Sequence, residues 1–249
     1  MPDDSAMLVL GIDTSGAQGS VALCRGLPEG LEAIAHATLG VRTYSAQLVP
    51  EIAGLLHSNH LSAGDIDGYA VVSGPGSFTG LRVGLAAVKG LAEILQKPIA
   101  AVSMLEVMAE CAARSFPGES PRVHAVLDAS RGEFFLGTYI RNGNQVQRDE
   151  RLADYEELLR ILGNEPVIIC EASVAAALSP SGITLRIIPR PDSRMVAQAG
   201  MQKLLAGEIV SAEGLSANYM RDAGVNIPPG RNRPATSATA SPAPAKRKL

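Results

Sequence analysis

MLVLGID, residues 7–13, followed by TSGAQGSVALC to residue 24, decides how the rest of the chain is read. An apolar run that ends in an acid marks a buried strand whose last residue emerges into a polar place. Ser20–Cys24 reads as a second strand and Glu32–Thr38 as a third, parted by the turn Pro28-Glu29-Gly30. Three strands at this spacing form an antiparallel meander. From Tyr44 to Ser58 the period changes, because Leu48, Ile52, Leu55 and Leu56 recur at helical spacing. Pro50 is tolerable there only near the helix start.

Gly68–Ser73 is another buried strand, followed by the turn Gly74-Pro75-Gly76-Ser77. Ser77 or Thr79 can cap a helix running to about Gln96, and Pro98 introduces a strand at Ile99–Val102. The order β-β-β-α-β-α-β is that of an RNase H-like half of an actin-type fold. A second unit repeats the theme. Helix Met104–Arg114 ends at Phe116-Pro117-Gly118, and strand Val123–Asp128 closes on an acid as the first strand does. Glu133–Ile140 and Gln145–Gln147 pair across the Asn142-Gly143 turn. Helix Asp154–Ile161, strands Val167–Cys170 and Thr184–Ile188, and helix Ser193–Ala206 complete it. The expected division is therefore 1–103 and 104–222, two α/β subdomains, with a Pro/Ala/Ser-rich basic tail at 223–249.

Composition narrows the function. Hydrophobic residues make up 46% and aromatic residues 4% with no Trp, so the core is aliphatic, which suits α/β layers. The net charge of −3 comprises +5 from the tail and −8 from the body, too acidic to bind nucleic acid unaided. Cys24, Cys111 and Cys170 form no C-x-x-C pair and indicate neither zinc nor a disulfide framework. The first residues carry acids where a signal peptide carries Lys or Arg, and no run approaches the ~18 apolar residues of a membrane span. The expected place is the cytoplasm, with no membrane contact.

SGPGSFTGLRVG, residues 73–84, is the most distinctive segment. It lacks the Gly-Lys-Ser/Thr ending of a P-loop, and its glycines miss G-x-G-x-x-G spacing. Gly80, Gly84, Ala87 and Leu91 share one helical face, with Val88 beside them. Small residues there admit another backbone closely, and spacing leaves open whether that backbone belongs to the chain's own sheet or to another subunit. The four histidines form no H-x-x-x-H pair, and no Ser-His-Asp set assembles.

Together IDTSGAQGSVAL, YSAQLVPEIAGLL, SGPGSFTGLRVGLAAVKGLA, LDASRGEFFLGTY and ANYMR resemble, in order, the bacterial TsaB (YeaZ) family over roughly residues 7 to 222. Tyr44 stands where that family often has His, and the neutral Ala46-Gln47 replaces its usual acid. The resemblance implies an actin-like (ASKHA) fold and a non-catalytic partner subunit in forming threonylcarbamoyladenosine beside the tRNA anticodon. It implies a heterodimer with the catalytic paralogue TsaD, contact with the ATPase TsaE and tRNA engaged through the complex, and it leaves open a homodimer or a monomer when alone. The two helices would supply the partner face, through Gln47, Leu48, Glu51 and Leu55 and through Gly80, Leu81, Arg82, Gly84, Leu85, Ala87 and Val88. Asp13, Thr14 and Ser15 are similar to the first phosphate turn of actin-like proteins, and Asp128 marks the second. Asp128-Ala129-Ser130-Arg131-Gly132-Glu133 puts side chains where backbone must approach phosphate, and no Gly-Gly dipeptide supplies an adenosine turn. A degenerate nucleotide site, no cofactor and no metal are the expectation. The paired-His metal motif of TsaD is missing. The alternative is an independent actin-fold ATP-dependent enzyme or a peptidase.

Overall fold

The computed structural model describes residues 6–27, 30–40, 43–116, 122–143 and 145–220. The turn at Pro28-Glu29, the punctuation at Pro117-Gly118, Arg221 of the ANYMR match and the tail lie outside the described residues. Strands β1 (Leu8–Asp13), β2 (Gly19–Leu27), β3 (Gly30–Leu39), β4 (Gly68–Gly74) and β5 (Ile99–Ser103) form one sheet in the order β3-β2-β1-β4-β5. The central strands β1 and β4 are buried along their whole length, because helices cover both faces. That is why they read as unbroken apolar runs rather than alternating ones.

The second sheet contains β6 (Arg122–Asp128), β7 (Glu133–Asn142), β8 (Gln145–Asp154), β9 (Val167–Ile169) and β10 (Leu185–Ile187). Its order β10-β9-β6-β7-β8, taken from the other edge, repeats the first sheet. β1 and β6 are each antiparallel to the next strand and parallel to β4 or β9. β8 runs to Asp154, well beyond the expected Gln147. Its sequence QVQRDERLAD is almost wholly polar because it is a charged edge strand.

Six helices complete the layers among the described residues: α1 (Tyr44–Ser58), α2 (Phe78–Leu95), α3 (Met104–Ser115), α4 (Tyr155–Leu162), α5 (Ala172–Leu178) and α6 (Ser193–Leu205). α1 contains Pro50 in its second turn, where the carbonyl that loses its donor belongs to the exposed Ala46. Ser77 caps α2 by accepting from the Gly80 N–H at 3.3 Å, as the sequence suggests.

Successive strand residues face opposite sides, and β1 shows it. On one side α2 packs over Ile12; on the other, Gly11 lies under Ser193 and Ala197 of α6. The sequence reading puts α6 in the second unit, yet it packs on β1, β2, β4 and β5 of the first sheet. α3, which follows the first sheet in the chain, packs mainly on β6, β7 and β9 while still touching β4 and β5. α3 and α6 touch between the sheets. One core therefore runs from α2 through the first sheet to Ala125, Leu127 and Tyr139, while a smaller one lies under α4 and α5. A partly buried ionic cluster ties this middle layer: Glu106 of α3 meets Arg148 of β8 at 2.9 Å and Lys203 of α6 at 3.2 Å.

Candidate functional site

The two strand-to-acid turns come together across a cleft of about 1000 Å³ between the sheets. On the first side Asp13, 2% exposed, accepts from the Ser15 backbone N–H at 2.8 Å and from its hydroxyl at 2.6 Å. Burial pushes the Asp13 carboxyl above its ordinary value, while Arg190 and the Ser15 hydrogen bonds pull the other way. Thr14 is not aimed at the cleft: its hydroxyl donates to the Gly80 carbonyl at 2.8 Å and joins β1 to α2. Tyr44 has its hydroxyl 2.8 and 2.7 Å from the Gly16 and Ala17 carbonyl oxygens, so it pins the turn after β1 to α1.

On the second side the Asp128 carboxylate accepts from the Ser130 N–H at 2.6 Å. Ser130, Arg131 and Gly132 all have positive φ, of 63°, 59° and 78°. Two of the three carry side chains in a backbone shape that suits glycine. Arg190 reaches between the sides. It donates to Glu171 at 3.2 Å and to the Ser15 hydroxyl at 3.1 Å, and a Cβ on Gly16 would fall 2.7 Å from its Nε. Asp13, Ser15 and Asp128 are thus brought around one cleft, while Thr14 serves packing. Among the described residues no group of three His, Cys, Asp or Glu is placed to hold a metal ion.

The second feature is an apolar groove of about 520 Å³ between α1 and α2. Ser45, Leu48 and Val49 form one wall; Phe78, Thr79, Arg82, Val83, Ala86 and Ala87 form the other. Val49 is 55% exposed and Phe78 47%. At the mouth, the Arg82 guanidinium lies 3.8 Å from the Phe78 ring centre and its Nε donates to the Tyr219 hydroxyl at 3.1 Å. The Phe78 and Tyr219 rings are themselves 5.2 Å apart.

This geometry divides the residues of the expected partner face into buried and open ones. Leu48, Gly80, Leu81, Gly84, Leu85 and Val88 are buried against the chain's own core. A Cβ on Gly80 would fall onto the Thr14 carbonyl oxygen, and one on Gly84 onto the Thr14 hydroxyl. Gly80 and Gly84 of that stripe admit the end of β1. Gln47, Glu51, Leu55 and Ala87 are half-buried, with Gln47 accepting from the Gly40 N–H at 2.7 Å, and Arg82 is exposed. The open residues beside the groove include Val49 and Ala53 on α1 and Arg82, Ala86 and Gly90 on α2. Of these five the expected face held Arg82 alone; Arg82, Ala86 and Gly90 recur at helical spacing just beside the stripe of Gly80 and Gly84.

Two like sheets with facing acid-ended turns make this an actin-like α/β protein. A polyphosphate/ATP-glucomannokinase from Arthrobacter sp. strain KM shares that fold at a TM-score of 0.50 and 10% identity, over 80% of this chain and 99% of the other. YeaZ from Pseudomonas aeruginosa superposes at a TM-score of 0.70 with 27% identity, over 86% of this chain and 99% of that one. A Bacillus subtilis relative, "tRNA threonylcarbamoyladenosine biosynthesis protein TsaB", is 35% identical over 159 residues, 62% of this chain and 66% of its own length. The match thus spans just under two thirds of that relative. The family model described as "TsaD: tRNA N6-adenosine threonylcarbamoyltransferase" matches residues 36–226. The chain belongs to this family, on its TsaB (YeaZ) side.

Proposed function

We propose that the chain is a non-catalytic partner subunit, a scaffold or activator, of a TsaD-type threonylcarbamoyltransferase acting in threonylcarbamoyladenosine synthesis. The observation that carries this reading is the exposed apolar groove of α1 and α2, edged by small residues, in a chain of this family. Ala53, Ala86 and Gly90 let partner helices approach closely, and Arg82 with Phe78 offers the aromatic and guanidinium groups that dominate many interfaces. The same face serves a homodimer when the partner is absent. A TsaE-like ATPase joins the assembly, and tRNA is met through the complex, since the body of this chain is acidic. Arg190 in the cleft fits a subunit that leaves nucleotide chemistry to its partners.

Co-purification with a TsaD-type protein from the same cell tests the proposal. Ala86→Glu, which places a charge in the groove, should abolish it, and retention would refute the proposed face. The isolated chain should neither hydrolyse ATP nor transfer threonylcarbamoyl to tRNA. Turnover by the single protein, lost in Asp13→Ala, would favour the independent enzyme instead.

A further inference from the structure

Residues Ile188–Asp192 carry the chain from β10 to α6, and so from the second sheet back to the first. Arg190 stands in the middle of that crossing, held between Pro189 and Pro191. One nitrogen of its guanidinium donates to a Glu171 oxygen at 3.2 Å, and the other Glu171 oxygen accepts from the Asp128 N–H at 2.8 Å. A second nitrogen donates to the Ser15 hydroxyl at 3.1 Å, and that hydroxyl donates to Asp13 at 2.6 Å. A planar fork with donors on several edges can hold two sides at once, which a lysine's point charge does poorly. The charged residues that line the cleft are Asp128 and Glu171 against Arg131 and Arg190, so it has no surplus positive charge with which to draw in an anion. Glu171 and Ser15 therefore engage the two terminal nitrogens of this guanidinium, while its Nε is buried without a hydrogen-bond partner among the described residues.

We propose that Arg190 is an interlobe latch: through Ser15 after β1 and Glu171 after β9, it fixes the opening of the cleft by the chain's own contacts. The latch makes the angle between the two sheets a property of the chain itself. It is independent of the partner reading.

Hydrogen exchange of the full chain tests it, followed by mass spectrometry. The informative amides are Ser15 and Ser77 on the first side, which bond to Asp13 and the Ser15 carbonyl, and Asp128 and Glu133 on the second. Arg190→Ala should speed exchange at both turns by about tenfold or more, the scale of losing one charge-assisted hydrogen bond. Glu171→Gln, which keeps an oxygen for the Asp128 N–H, should act in the same direction but less, and the double variant should go no further than Arg190→Ala. Faster exchange confined to both turns supports the latch. Unchanged rates, acceleration at only one turn, or acceleration spread evenly over the chain would overturn it, and Glu171→Gln keeps the test valid if Arg190→Ala folds poorly.

Discussion

Replacing Gly84 by leucine separates packing within the chain from contact with a partner. Gly84 is buried on α2, where an added Cβ would meet the Thr14 hydroxyl first and then Ile12 Cγ2 at 3.6 Å. To admit a leucine, α2 must lift from β1 or Thr14 must turn away. The second route breaks the 2.8 Å bond from Thr14 to the Gly80 carbonyl. Overpacking of this kind costs ~1–3 kcal/mol, and a lost buried hydrogen bond adds ~1 kcal/mol. The sum, about 2–4 kcal/mol, lowers the melting temperature by ~4–16 °C for a chain of this size. Thermal unfolding of the isolated protein, followed by far-UV circular dichroism, reads this directly. Gly90→Ala is the control. Gly90 lies six residues further along α2 with nothing within 4 Å of its Cβ position, so alanine there should stabilise by up to ~1 kcal/mol. A Gly84→Leu chain that melts like the wild type would refute the packing argument and return Gly84 to the partner face.

Ala86→Glu should leave the melting temperature nearly unchanged and weaken binding of a TsaD-type partner by about tenfold or more, since a buried unpaired charge costs several kcal/mol; titration calorimetry with both proteins checks it. Asp13→Asn should stabilise at neutral pH and do nothing near pH 3. Burial raises the native Asp13 pKa, so the stability tied to its neutral form is full below the unfolded value of 3.8 and is lost as pH rises through the native one. Melting curves of both proteins at acid and neutral pH check the sign, and an advantage that grew on acidification would refute it. Glu106→Ala leaves Lys203, 11% exposed, with only Glu208 at 3.3 Å, and should cost ~3 kcal/mol; urea unfolding measures it, and a loss within error would remove the cluster from the stabilising contacts.

Much of the fold is legible because buried strands and amphipathic helices carry period in their own residues. Leu8–Asp13 and Gly68–Gly74 announce themselves as apolar runs, and the Asn142-Gly143 turn marks its hairpin, with Gly143 at φ 61°. β8 hides its length because an edge strand facing water needs no apolar face. The seven-residue, alanine-rich α5 is too short to show a period. The site divides in the same way. Asp13, Ser15 and Asp128 stand at strand ends, where sequence points, but Arg190 acts on Ser15 from 175 positions away, and no local pattern records that distance. The choice between two stripes of α2 is harder still. Gly80/Gly84 and Ala86/Gly90 are both small-residue pairs at i and i+4, and only the position of β1 decides which faces inward.

The exchange of α3 and α6 between the sheets sets a schedule for the ribosome. By the time Ser103 is made, every strand of the first sheet exists, but the Gly11 face waits for a helix that ends only at Leu205. At ~5–20 residues per second, that surface stays bare for about 5–20 s of translation. For that interval the nascent chain carries an open aliphatic sheet face, which makes it a natural client for chaperones that bind near the exit tunnel.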